Sequence, residues 1–195
     1  MSVPVMTPRA AREQRAFRAL LDGMARPGTV QSLGRVEHQG ETAAAVSLFE
    51  ALVDHEVSFA VVPASAETEE AVLRLTGSHL AEVAKADYVL AAGDGVVTAL
   101  ATAQAGEPEY PDRGATVVAL VESVSAGPGP GDELVLEGPG ILGSRLVWVS
   151  GFPQQAIALF LERNREVPLG IDLVLIAPDG TFTCLPRYTR IQGGR

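Results

Sequence analysis

The chain has 195 residues, of which 47% are hydrophobic, enough for one sizeable core and a single domain over residues 1–195. Its formal net charge of −9 argues against a nucleic-acid surface and against attraction to anionic lipid, because both need a basic footprint. No stretch approaches the roughly 18 apolar residues of a membrane span, and the first residues lack a signal-peptide apolar region, so the sequence predicts a cytoplasmic protein.

The residue types that carry most enzyme chemistry are scarce. Fourteen arginines stand against one lysine, Lys85, so Schiff-base chemistry has one candidate amine. A single cysteine, Cys184, cannot form an internal disulfide and is expected to act as a small buried hydrophobe. The three histidines lack a carboxylate or cysteine at ligand spacing, so no metal site is expected at His38, His55 or His79.

The first half of the chain alternates predicted helices with predicted strands. An amphipathic helix starts at Thr7-Pro8 and stops before Pro27-Gly28, and its apolar face consists of Phe17, Leu20, Leu21 and Met24. In chain order there follow a strand at 29–33, a helix at 43–53, a strand at 57–62, a helix at 67–75, a strand at 88–92 and a helix at 96–103.

Residues 104–114 contain two prolines and two glycines and are predicted to be a long irregular loop. Long loops often carry function. Within it, Glu107, Glu109 and Asp112 beside Tyr110 are candidate acid-base groups, and Arg113 is a candidate anion ligand. The other interpretation is a solvated surface loop.

The second half is rich in predicted strands. They lie at 115–121, 133–136 and 145–149, and a helix follows at 154–165. The segment 138–143 reads Gly-Pro-Gly-Ile-Leu-Gly, which matches the dinucleotide-binding pattern in letters. A strand and not a helix is predicted after it, so a glycine turn between strands is the favoured interpretation.

The chain ends in a predicted hairpin. Residues 171–177 form a nearly unbroken apolar run, typical of a strand covered on both faces. A two-residue turn at Asp179-Gly180 would place Asp172 opposite Arg187 as a structural ion pair. Together these elements predict a three-layer α/β domain with a mixed β-sheet between helices.

Three blocks of residues resemble the PhnH family, a subunit of the bacterial carbon-phosphorus lyase system for phosphonate use. They are Phe17-Arg18-x-Leu20-Leu21-x-x-Met24-x-x-Pro27-Gly28, then Leu136-x-Gly138-x-Gly140-Ile141, and lastly Pro168-Leu169-Gly170-Ile171-Asp172-Leu173 with Leu185-Pro186-Arg187-x-Thr189. The last block is the most specific.

The resemblance implies more than the residues show by themselves. It implies a fold like the large domain of pyridoxal-phosphate-dependent transferases, without the cofactor or its lysine. It also implies action with PhnG, PhnI and PhnL in moving a phosphonate onto the ribose C1 of a nucleoside triphosphate, and a core complex with PhnG, PhnI and PhnJ. No catalytic residue, cofactor or metal ligand follows from it.

Two alternatives stay open at this point. One is a free-standing phosphate-binding protein or enzyme that uses residues 107–114, with Arg113 and Arg187 as anion clamps. The other is a pyridoxal-phosphate enzyme, which the single lysine disfavours. A subunit purified away from its complex is also expected to hide apolar surface as a homodimer.

Overall fold

A computed structural model describes residues 7–192. It contains five helices within that range: α1 (Pro8–Ala25), α2 (Ala43–Leu52), α3 (Ala66–Thr76), α4 (Gly95–Thr102) and α5 (Gln154–Arg163). The strands are β1 (Gln31–Ser32), β2 (Ser58–Val62), β3 (His79–Leu80), β4 (Tyr88–Ala92), β5 (Ala105–Glu107), β6 (Tyr110–Gly114), β7 (Thr116–Leu120), β8 (Ser123–Ser125), β9 (Asp132–Glu137), β10 (Arg145–Ser150), β11 (Asp172–Ile176), β12 (Thr181–Leu185) and β13 (Arg190–Gln192).

The central sheet has seven strands in the order β1-β12-β11-β7-β4-β2-β3. The strands from β11 to β3 run parallel, and β12 pairs antiparallel with both β11 and β1. This confirms the prediction of a mixed α/β sheet with the apolar strand inside it. β11 lies between β12 and β7, as its lack of polar alternation indicated.

Both faces of the sheet are covered, which explains why its inner strands are apolar at every position. Val118 and Val174 pack with α1, α2 and α3 on one face. Their chain neighbours Val117 and Leu173 pack on the other face against α4, α5, β9 and β10. Successive side chains of a strand point to opposite faces, so a strand covered twice needs apolar residues throughout.

Local signals set the helix ends. The Thr7 hydroxyl accepts a hydrogen bond from the backbone N–H of Ala10 and caps α1. Ser65 does the same for α3, which ends at Gly77 in the left-handed conformation.

No helix in residues 7–192 has the length and apolarity that a membrane crossing requires.

The predicted apolar face of α1 is wrong in part. Ala16, Leu20 and Gly23 are buried, whereas Phe17 and Leu21 are exposed. A β-carbon at Gly23 would come within 2.7 Å of the Cys184 Sγ, so the helix packs on β12 through its small residues. Close approach of the backbones, and not side-chain hydrophobicity alone, decides which face is buried.

The irregular loop predicted at 104–114 is instead the two-stranded hairpin β5-β6. Gly106, with φ +79°, allows an irregularity in its pairing. These strands are short and largely polar, so they lack the apolar alternation by which a strand is predicted.

A separate antiparallel sheet, in the order β13-β9-β10-β8, was also not predicted. Its strands β8 and β13 have three residues each, too short for a periodic signal. β9 and β10 flank the 138–143 turn, so the segment that matches the dinucleotide pattern connects two strands, as favoured.

The predicted register of the final hairpin is wrong by one residue. Leu173 pairs with Leu185, so the ladder, if continued, places Asp172 opposite Pro186 and not Arg187. The loop has three residues, 178–180, because Ala177 N–H donates to the Thr181 carbonyl and Gly180 takes φ +83°.

Candidate functional site

Asp172 and Arg187 form an ion pair at the start of β11. Asp172 Oδ2 accepts from Arg187 Nη2 at 2.7 Å, and Oδ1 accepts from the Arg187 backbone N–H at 2.8 Å. Arg187 Nη1 also donates to the Pro111 carbonyl at 2.7 Å. The pair therefore connects β11, the end of β12 and the β5-β6 hairpin.

Arg113 does not share this place. Its guanidinium stacks on the exposed Tyr110 ring, 4.3 Å from the ring centroid. The Arg187 guanidinium lies instead against Gly114, where an added β-carbon would meet it. This divergence, together with the bonds that occupy Arg187, is unfavourable to a shared anion clamp.

The three carboxylates considered for acid-base work, Glu107, Glu109 and Asp112, are all exposed on the hairpin. A general acid or base is tuned by burial or by close neighbours. Solvent surrounds these groups, in agreement with the solvated interpretation.

A sizeable concavity lies elsewhere, where α5 ends. This cleft, with a volume of about 580 Å³, is bounded by the residues after α5, the 138–143 turn and the 187–190 segment. Its principal lining residues are Pro139, Asn164, Arg165, Val167, Tyr188 and Arg190. We call it the α5 cleft.

Asn164 fixes one wall of the α5 cleft. Its Oδ1 accepts from the Ile171 backbone N–H at 2.7 Å, and its Nδ2 donates to the Ile171 carbonyl at 3.1 Å. Ile171 is fully buried, so these backbone groups have no water to bond. The end of α5 is thereby held to the strand that follows it.

The 138–143 turn, part of which lines the α5 cleft, packs against the end of α1. Arg145 Nη1 donates to the carbonyls of Arg26 and Pro27 at 3.2 and 2.6 Å. A β-carbon at Gly140 would clash with the Ala25 carbonyl oxygen, and Gly140 has φ +81°. Glycine is thus needed at this position of the turn for close packing against α1.

The surroundings of the Cys184 thiol and the Lys85 amine do not activate either group for reaction. Cys184 is fully buried, as predicted, and burial together with the charge of Asp172 raises the pKa of its thiol, which keeps it protonated. Lys85 Nζ is 2.8 Å from Glu82 Oε2 on the surface, and this hydrogen bond raises the lysine pKa. A reactive amine needs the opposite shift.

His38 Nε2 lies 3.2 Å from Glu50 Oε2, whereas His55 and His79 are exposed. Over residues 7–192, no three His, Cys, Asp or Glu side chains come close enough to hold a metal ion.

Sequence reasoning missed the α5 cleft and its residues Asn164, Arg165 and Arg190. One signal was available: Leu142 and Val167 are large apolar residues beside glycine or proline, in segments where polar residues are usual. The sequence does not show that the end of α5, the 138–143 turn and the 187–190 segment meet, because tertiary packing alone brings them together.

Fold and site together define a class: an α/β protein with a mixed central sheet, helices and an arginine-bearing surface cleft. Residues 5–192 match the family model described as bacterial phosphonate metabolism protein, PhnH. The chain belongs to the PhnH family.

Two curated relatives span most of the chain. It is 35% identical over 183 residues to a putative C-P lyase subunit protein HtxG of Stutzerimonas stutzeri, covering 94% of this chain and 87% of that protein. It is 30% identical over 186 residues to an alpha-D-ribose 1-methylphosphonate 5-triphosphate synthase subunit PhnH of Rhizobium meliloti strain 1021, covering 92% and 90%.

Proposed function

We propose that the chain is a subunit of a bacterial carbon-phosphorus lyase system and works in the cytoplasm. The observation that carries this proposal is similarity over more than nine tenths of the chain to two proteins that are named as subunits. In this proposal it acts with PhnG, PhnI and PhnL, and assembles with PhnG, PhnI and PhnJ.

The reaction assigned to the assembly is a transfer to the ribose C1 of a nucleoside triphosphate. The bond between C1 and the base nitrogen breaks, a bond from C1 to a phosphonate oxygen forms, and the base leaves. The subunit contributes binding surface, and the reacting groups come from its partners. The protonated Cys184 thiol, the exposed Lys85 amine and the paired Arg187 support this division of labour.

The proposal predicts growth and co-purification together. Deleting the gene in its own organism is expected to abolish growth on methylphosphonate as sole phosphorus source and to leave growth on phosphate unchanged. The affinity-tagged chain is expected to restore growth and to co-purify PhnG, PhnI and PhnJ, identified by mass spectrometry.

The purified chain alone is expected to show no consumption of methylphosphonate with ATP. Turnover by the lone chain, or unimpaired growth of the deletion strain on methylphosphonate, would contradict the proposal.

The isolated chain is also predicted to be a homodimer, because residues such as Phe17 and Leu21 on α1 leave apolar surface in water. Light scattering after size exclusion is expected to give twice the mass of the chain. A single monomeric species at all concentrations up to about 100 μM, where a standard-size interface is normally occupied, would show that this is wrong.

A further inference from the structure

Exposed apolar side chains gather around the α5 cleft. Leu142, at the tip of the 138–143 turn, is 99% exposed, and Val167 is 68% exposed. Tyr188 and Leu161, which line the cleft, are exposed as well. Single apolar residues are common on surfaces, but several around one concavity indicate an interaction site.

Two cations in the same cleft have no ion-pair partner within the described part of the chain. Arg165 and Arg190 both line it, and neither forms an ion pair or a side-chain hydrogen bond with any of residues 7–192. By contrast, the nearby Arg187 is bonded to Asp172, and Arg145 to the end of α1. Glu137, opposite Arg190 in the ladder, accepts from Gln192 Nε2 instead.

The chemistry of the cleft therefore combines exposed apolar side chains with unpaired positive charge, in a chain whose net charge is −9. Arginine at the edge of an apolar patch is typical of interface hot spots, and its planar fork matches a carboxylate. The complementary ligand carries an apolar side chain and at least one carboxylate.

We propose that the α5 cleft receives a loop or strand end of another subunit, which inserts an apolar side chain and places a carboxylate on Arg165 or Arg190. This proposal rests on the proposed function as a complex subunit. It names the part of the surface that docks and the chemistry of what docks there.

The position of the apolar residues favours a protein over a small anion. Leu142 stands outside the cavity of about 580 Å³, so a phosphate-sized ligand within the cleft would leave it in water. A protein segment that crosses the cleft would cover both the turn and Val167. The walls are already held by Asn164 and Gly140, so docking needs little reorganisation.

The experiment measures binding of the chain to a reconstituted complex of PhnG, PhnI and PhnJ by biolayer interferometry. The cleft variants are Leu142→Ser and the double variant Arg165→Ala with Arg190→Ala. The matched controls are Leu80→Ser, an exposed leucine on β3, and Arg113→Ala on the β5-β6 hairpin. Thermal unfolding is expected to be the same for all, since every altered side chain is on the surface.

Each cleft variant is expected to raise the Kd about tenfold or more, and each control less than about twofold. The charge-reversed variant Arg165→Glu with Arg190→Glu is expected to bind more weakly than the alanine variant. Raising salt should weaken binding by the wild-type chain more than binding by the alanine variant.

Equal affinities of cleft and control variants would overturn the docking proposal and leave the proposed function standing. Failure of the wild-type chain to bind at all would overturn both. The small-anion reading is tested with pyrophosphate and ATP on the chain alone. The contradicting result is that the wild-type chain binds one of these probes while the double variant Arg165→Ala with Arg190→Ala does not. If that variant still bound the partner complex with unchanged affinity, the cleft would be an anion site and the proposal would be overturned.

Discussion

Replacing Phe160 with alanine is expected to lower the free energy of unfolding by about 4 kcal/mol. Phe160 lies on α5 and is fully buried in the core between the central sheet and the second sheet. Removing its ring loses apolar burial and leaves a cavity that the packed strands cannot close. Urea unfolding followed by circular dichroism gives the value.

The adjacent residue provides the control. Leu161 is on the same helix but faces the α5 cleft and is 37% exposed. Leu161→Ala is expected to cost less than about 1 kcal/mol, since surface substitutions have small effects. An equal loss of unfolding free energy in the two variants would show that α5 does not bury Phe160 while exposing Leu161.

The second large effect is expected from Asp172→Ala, which should cost about 3 kcal/mol. The side chains of Arg187 and Asp172 are only 11% and 21% exposed, so the variant leaves a partly buried guanidinium without its carboxylate. It also removes the acceptor of the Arg187 backbone N–H. The measurement is again urea unfolding.

The same variant is expected to speed hydrogen exchange in the β5-β6 hairpin. Asp172 orients the Arg187 side chain, so without Asp172 the hydrogen bond from Arg187 to the Pro111 carbonyl is weakened. Its control is Glu82→Ala, which breaks the exposed pair with Lys85 and is expected to have no measurable effect. A stability loss no greater than that control would mean that the Asp172 pair is not structural.

Prediction from the sequence succeeded where the signal was local. The strand at 88–92 was predicted with its observed bounds, because its apolar run ends at Gly93. The interior position of β11 followed from the lack of polar alternation. The ion pair between Asp172 and Arg187 is present although the counted register is one residue off, because a long arginine side chain tolerates such a shift.

The candidate site was predicted less well than the fold. Arg113 and Arg187 were grouped by type and by nearness to a loop, yet they face different surroundings. Arg165 and Arg190 carry the same chemistry in the sequence and were passed over. What distinguishes them is that both line one cleft without an ion-pair partner among residues 7–192, and this depends on neighbours from distant segments.

The sequence by itself determined the α/β class, the alternation of most helices with strands, and the PhnH resemblance that the family match confirmed. Periodicity, glycine and proline breaks and motif spacing are properties of neighbouring residues, so they can be read along the chain. Only the tertiary structure decided the buried face of α1, the second sheet and the α5 cleft. Each depends on how closely segments far apart in sequence can pack, and no local pattern encodes that distance.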